Sequence, residues 1–206
     1  MRGELEAAVD GVRNIDTLLV NSLHQETARL TRLVDDLYHL ARAELGTLDY
    51  EFSRASLAAL LAQSLNHFAR RLQLAGIDYD YDIDAGLCAR VDQSRILQLL
   101  ENLLENCLRY TDAPGRVSVA AHRVGEQALI TIADSAPTID EAELALLFEP
   151  LQRVERSRSR AYGGSGLGLA ICKRIVLAHG GSIAAARSSL GGLVMTICLP
   201  LLGPEA

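Results

Sequence analysis

Residues 163–171 read Gly-Gly-Ser-Gly-Leu-Gly-Leu-Ala-Ile, so four glycines in six positions run straight into an apolar segment, Leu167 to His179. Glycine lets the backbone approach a ligand closely and adopt positive φ. A helix N-terminus adds unpaired N–H groups and the positive end of a dipole. Together they make a cradle for phosphate. A second cluster lies in residues 101–111, Glu-Asn-Leu-Leu-Glu-Asn-Cys-Leu-Arg-Tyr-Thr. Asn102 and Asn106 are one helical turn apart, so their amides share a face, and Arg109 extends the same ridge. Two neutral oxygen donors beside a cation suit a magnesium–polyphosphate complex, because Mg²⁺ takes few ligands from protein and the rest from phosphate and water. The third group is Ala133-Asp134-Ser135-Ala136-Pro137-Thr138-Ile139, an acidic residue at the end of a strand that could accept a hydrogen bond from an adenine amino group. Each group also has a plain reading, as an ordinary turn, a polar helix face or a strand-ending turn.

Two other phosphate motifs are excluded. A P-loop needs Gly-Lys-Ser/Thr at its end, whereas Gly168 is followed by Leu169 and Ala170. A dinucleotide fingerprint needs a strand directly before the glycines. Here the preceding segment is Arg153-Val-Glu-Arg156-Ser-Arg158-Ser-Arg160, a basic approach to the loop.

The elements that must position these groups fit a chain of 206 residues, enough for one core of about 150 residues and a smaller unit. Hydrophobic residues make up 49% and charged residues 22%, ordinary for a globular protein. No run approaches the roughly 18 apolar residues of a membrane span, and the N-terminus lacks a signal-peptide core. The chain therefore reads as cytoplasmic in character. A net charge of −6 argues against a nucleic-acid partner. Cys88, Cys107, Cys172 and Cys198 form no Cys-x-x-Cys pair and read as free buried thiols of a reducing compartment. The five histidines are scattered, so a metal held by protein alone is not expected.

Residues 1–46 read as a helical hairpin with a shortened first arm. Asp16 caps the second arm, and Leu19, Leu23, Leu30, Leu33, Val34, Leu37, Leu40 and Ala41 recur at helical spacing. Such a stripe must be buried, and dimerisation through it follows. Gly46–Asp49 breaks the pattern and divides the chain into 1–46 and 47–206. Beyond it, Ser56 caps a helix to about Ala75, and Ile77–Ile83 alternates as a strand. Leu87–Val91 is a further short strand, and Asp92 caps a helix to Tyr110. Arg116–Val124 and Gln127–Ala133 pair as a hairpin around Gly125-Glu126. A helix over Asp140–Leu147, the helix after the glycine loop, and a final hairpin of Ser182–Ser188 with Gly192–Leu199 complete the order. Helices with mostly antiparallel strands indicate an α+β fold, a two-layer α/β sandwich with helices on one face of a sheet.

The three groups, in this order, resemble the ATP-binding domain of sensor histidine kinases, within the wider family of gyrase-type and chaperone-type ATPases. Asn102–Tyr110 resembles its asparagine box, Asp134–Ile139 its first glycine box, Leu147-Phe148-Glu149-Pro150 its phenylalanine box, and Gly164–Ala170 its second glycine box. The resemblance covers about residues 50–200, and the N-terminal hairpin is similar to the dimerisation and phosphotransfer hairpin of the same kinases. It implies that Asn106 binds Mg²⁺, Asn102 supports it and the phosphates, and Arg109 contacts phosphate. Tyr110 lines the ATP pocket, Asp134 reads the adenine amino group, and Thr196 touches adenine through water. Residues 148–165 form a lid with Arg153 near the γ-phosphate. Gly164, Gly166 and Gly168 hold the polyphosphate, with Ser165, Leu167, Leu169 and Ile139 completing the nucleotide-binding set. The implied cofactors are ATP and Mg²⁺. The implied partners are a response-regulator receiver domain and a second copy of the chain, with membrane reached only through segments missing here and the parent protein in a bacterial inner membrane.

Two departures qualify the resemblance. These kinases carry a His-Glu-Leu-Arg-Thr-Pro-Leu phosphoacceptor segment before the equivalent of Arg2, and none of the five histidines here stands in that pattern. The expectation is that Met1 is a trimmed start, that the chain alone does not phosphorylate itself, and that it contains no catalytic histidine. Second, Ala136 and Thr138 stand where the first glycine box has glycines. A β-branched residue resists positive φ, so a loop needing it at 138 would carry strain of about 1–3 kcal/mol. The runner-up is therefore a catalytically inactive ATP-binding or dimerising regulator. A serine-directed kinase fits the N-terminal hairpin poorly, and a hydrolytic ATPase would place glutamate at Asn102.

Overall fold

In the computed structural model the described residues are scattered positions between 16 and 34, and residues 49–135, 137–150 and 166–203. At the N-terminal end Asp16 caps a helix as expected: the Leu19 N–H donates to Asp16 Oδ1 at 2.7 Å. The described positions from 17 to 34 are helical, and Val20, Leu30 and Val34 leave apolar surface exposed. The first arm of the hairpin and the proposed boundary at 46 lie outside the described residues.

From residue 53 the chain builds two layers. The strands are β1 (Ser53–Ser56), β2 (Ile77–Ile83), β3 (Cys88–Val91), β4 (Gly115–Val124), β5 (Gln127–Asp134), β6 (Ser182–Arg187) and β7 (Leu193–Pro200). The helices are α1 (Leu57–Leu74), α2 (Gln93–Tyr110), α3 (Glu141–Leu146) and α4 (Gly168–Ala178). The caps predicted from sequence close their helices: Ser56 Oγ accepts from Ala59 N at 3.2 Å, and Asp92 Oδ1 from Arg95 N at 3.2 Å. At α3 the side chain of Glu143 reaches back to accept from the Asp140 N–H at 3.0 Å.

The main sheet has the order β2-β4-β5-β7-β6. Its neighbours are antiparallel except β2 and β4, which run parallel. A parallel pair needs a long crossover, and the stretch through β3 and α2 supplies it. Strict alternation makes one face apolar: Val117, Val119, Ala121, Ile130, Ile132, Met195, Ile197 and Leu199 are buried. Against it pack Leu61, Leu65 and Phe68 of α1, Leu99, Leu103 and Leu104 of α2, and Ile171, Ile175 and Val176 of α4, in one continuous core. This is the two-layer α+β sandwich anticipated from sequence.

The sequence pattern does not predict β1. It pairs antiparallel with β3 as a separate two-stranded sheet, Ser53 opposite Val91 and Ser56 opposite Cys88. Four residues ending at a helix cap have no periodicity to betray them; a tertiary partner makes them a strand. The Leu57 N–H, which donates to the Leu87 carbonyl at 2.8 Å, holds the start of α1 to the same pair.

Helix α4 ends in a Schellman turn. The Gly181 N–H donates to Val176 O and the Gly180 N–H to Leu177 O, both at 3.0 Å, with Gly180 at φ +69°.

Candidate functional site

Helix α2 lies between α1 and α4 in the helical layer and buries Ile96, Leu99, Leu100, Leu103, Leu104 and Cys107. That stripe orients the remaining face. Asn102, Asn106 and Arg109 are half-buried along it, and Tyr110 is exposed at its end. Asn102 faces the start of α4: its Nδ2 donates to the Gly168 carbonyl at 3.5 Å. A Cβ at position 168 would sit 3.8 Å from Asn102 Cγ, so the two elements touch without spare room.

The approach to α4 is set by two neighbouring residues. Gly166 has φ +71°, a conformation that costs an L-residue with a side chain about 1–2 kcal/mol. Leu167 caps the helix and is buried in the core, its carbonyl accepting from Ile171 N at 2.9 Å. Leu169 packs half-buried against the same core. The first N–H groups of α4 thus start beside the asparagine ridge, where the helix dipole favours an anion. Gly164, Ser165 and Arg153, with the rest of the basic segment, lie outside the described residues.

Asp134 ends β5 and is buried. Its Oδ1 accepts from Leu193 N at 2.8 Å, and its carbonyl accepts from Gly192 N at 3.1 Å. The Cys107 thiol, one residue beyond Asn106, is near enough to the same carboxylate to be influenced by its charge. Burial first, and the Asp134 charge second, push that thiol far above the usual cysteine range, so it stays protonated. By sequence alone Cys107 reads as a plain buried thiol. The signal that marks it is its position next to Asn106 on the core side of the helix. Beyond Asp134, Ser135 Oγ accepts from Arg116 N at 2.8 Å, and Ile139 is buried before α3. Thr138 is half-buried, its hydroxyl donating to the Ile139 carbonyl at 3.4 Å.

Two residues sit differently from their expected roles. Thr196 lies opposite Thr131 and Ala184, between buried Met195 and Ile197. Alternation therefore puts it on the sheet face away from the helices, whereas Asp134 lies on the helix side with Ile130 and Ile132. Thr196 and Asp134 thus lie on opposite faces of the sheet. Arg109 is drawn toward Glu105 at 3.7 Å, and Glu105 also pairs with Arg71 of α1 at 2.9 Å. Such part-exposed pairs contribute about 0–1 kcal/mol, so Arg109 is easily released.

The donor set fits a magnesium-bound polyphosphate. Asn102 meets the first residue of α4 across the α2–α4 contact, Asn106 and Arg109 follow it along α2, and the buried carboxylate of Asp134 ends β5. Among the described residues no cluster of three histidines, cysteines or carboxylates could hold a metal by itself.

Residues 91–203 match the family described as histidine kinase-, DNA gyrase B-, and HSP90-like ATPase. The chain is 44% identical over 201 residues to the signal transduction histidine-protein kinase BaeS of Escherichia coli K12, covering 98% of this chain and 43% of that protein. It is similar in structure to the histidine kinase AdeS of Acinetobacter baumannii, with TM-score 0.82, 26% identity and coverage of 98% and 93%. A fold likeness at 22% identity and TM-score 0.75 joins it to the histidine kinase ThkA, solved with the response regulator TrrA; it covers 97% of this chain and 56% of that one. The chain spans less than half the length of BaeS. Asparagine ridge, glycine-led helix and strand-end aspartate on a two-layer sandwich belong together for a shared reason: this chain is a member of the histidine kinase, gyrase B and HSP90-like ATPase family.

Proposed function

We propose that this chain is the ATP-binding part of a sensor histidine kinase of a two-component system and binds Mg·ATP between α2, α4 and the end of β5. The apposition of Asn102 to the first residue of α4 supports the reading, because it sets the polar face of α2 beside the N-terminus of a glycine-led helix. Asn106 and Asn102 would hold the cation and phosphates, Arg109 would turn from Glu105 to phosphate, and Asp134 would orient the adenine. Gly164, Ser165, Gly166, Leu167, Gly168 and Leu169 would wrap the polyphosphate, with Arg153, Tyr110 and Ile139 at its margins. Bound Mg²⁺ supplies neutralisation of phosphate charge. The chain's own groups contribute positioning and charge stabilisation, which is the greater part of phosphoryl transfer catalysis. The parent protein would transfer the γ-phosphoryl group to a histidine and from there to a response-regulator aspartate.

Exposed Val20, Leu30 and Val34 support a homodimer through the N-terminal helix. Among the described residues no helix is long and apolar enough to cross a membrane. A cytoplasmic place for this part, below an inner-membrane anchor elsewhere in the parent, is consistent with that.

Calorimetric titration with a non-hydrolysable ATP analogue, with and without Mg²⁺, tests the nucleotide reading. Magnesium-dependent binding that is lost in Asn106→Ala is the expected result; no binding at millimolar ligand would overturn it. Thr138 favours the rival of an inactive regulator. Transfer of labelled phosphate from ATP to a supplied phosphoacceptor hairpin would rule that rival out.

A further inference from the structure

Three elements meet at His179, the residue that ends α4, away from the asparagine ridge. The imidazole is buried. Nδ1 lies 2.7 Å from the Ile175 carbonyl, which can only accept, so Nδ1 carries the proton. Nε2 lies 3.0 Å from the Asp92 backbone nitrogen, which can only donate, so Nε2 is bare. These two partners fix one neutral tautomer. Asp92 in turn caps α2 and, through Oδ2, accepts from the Glu51 N–H at 3.0 Å. On the ring itself, Tyr50 makes an edge contact with centroids 5.6 Å apart and Phe52 another at 5.1 Å. Tyr50 and Phe52 also touch, at 5.8 Å. Residues 50–52, where the chain enters the ATP-binding fold, are thus held by one amide bond and two rings, all centred on His179 and Asp92.

We propose that His179 is a pH-sensitive latch that docks residues 50–52 onto the ATP-binding domain and releases them when it is protonated. An imidazolium has two donors and no acceptor. Its Nε2–H would face the Asp92 N–H, donor against donor. The anion within reach is the Asp92 carboxylate, and engaging it competes with the Glu51 N–H for Oδ2. The ring must turn to do so, which breaks its packing with Tyr50 and Phe52.

The charged groups around this node pull in both directions. Asp92 at the start of α2 favours the imidazolium, while Arg95 of α2 acts on Asp92 and the Tyr50 hydroxyl, and Arg174 of α4 on the Tyr50 hydroxyl. Burial opposes the charged ring and prevails over the Ile175 carbonyl and Asp92, holding His179 below the ordinary histidine value of 6.5. A folded-state value below the unfolded one means that docking is fully supported above about pH 6.5. That support is lost as pH falls through the folded value.

Amide hydrogen exchange on this chain at pH 7.5 and 5.0, corrected for intrinsic rates, tests the latch. Protection of Glu51 and Asp92 is expected to fall at least about tenfold at pH 5.0, while Ile130 in β5 stays protected. In His179→Gln, which cannot titrate, the two amides should show the same protection at both values. Because that variant disturbs a buried site, Tyr50→Ser with Phe52→Ser provides a second arm: Glu51 should lose protection at pH 7.5 with β5 unchanged. Equal protection of Glu51 and Asp92 at both pH values in the unmodified chain would overturn the proposal. So would a pH effect that persists in His179→Gln, or a Glu51 amide still protected without the two rings.

Discussion

Asn102 on α2 and Gly168 at the first position of α4 lie in contact, the amide nitrogen 3.5 Å from the carbonyl oxygen. The bond is long, and its worth is mainly directional. It ties the polar face of α2 to the first residue of α4.

Two glycines of the loop should respond differently to the same change. Gly168→Ala places its Cβ at ordinary contact distance from Asn102, so binding of the ATP analogue should change little. Gly166→Ala forces a side chain into positive φ. It should weaken binding about five- to thirtyfold, the equivalent of 1–2 kcal/mol. Calorimetry of both variants under the same magnesium concentration makes the comparison.

Asp134 should separate stability from recognition. Asp134→Ala leaves the Leu193 N–H unpaired, at a cost of about 1–3 kcal/mol. The melting temperature should then drop by about 2–4 °C for each kcal/mol. Asp134→Asn keeps an acceptor for Leu193 and should melt nearly normally, yet lose discrimination between ATP and GTP analogues.

The four thiols should fall into two classes. Cys88 and Cys198 are half-buried, whereas Cys107 and Cys172 are buried. Iodoacetamide at pH 8 should label the first two in the native chain and all four in denaturant. Because burial and the Asp134 carboxylate keep the Cys107 thiol protonated, it should be the slowest to react. Mass spectrometry of the peptides reads out each site.

Asp92 joins α2, the entering segment and His179. Burial raises its carboxyl, but hydrogen bonds from Ser94, Glu51 and Arg95 outweigh that and hold it below the ordinary carboxylate value. Its contribution is therefore present above about pH 3.9 and lost as pH falls through the lower folded value. Asp92→Ala removes a helix cap and two further acceptor contacts, and should destabilise the fold by on the order of 2–4 kcal/mol. Chemical denaturation at pH 7 checks this.

Gly181 tests the closeness of α4 to β7. A Cβ there would overlap the Cys198 carbonyl and lie 3.1 Å from Val176 Cγ1. Gly181→Ala should cost about 1–3 kcal/mol by overpacking, seen as a lower denaturation midpoint with an unchanged slope.

The sequence by itself determined what depends on near neighbours. Ser56 and Asp92 mark helix starts because caps act within a few residues. The alternation of Ile77–Ile83 and the apolar faces of α1 and α2 are local in the same sense, so these strands and helix faces are legible in the order of residues alone. The tertiary structure decided everything that depends on distant pairing. It made Ser53–Ser56 a strand by placing it beside Cys88–Val91, and it set β2 parallel to β4. It also chose the face of Thr196, since a strand read correctly in extent still leaves open which side meets the helices. The ring of His179 on the Asp92 amide and the carboxylate of Asp134 on the Leu193 amide join residues far apart in sequence. Side-chain hydrogen bonds of that kind leave no period in the chain. They exist only once the apolar faces of sheet and helices have been pressed together.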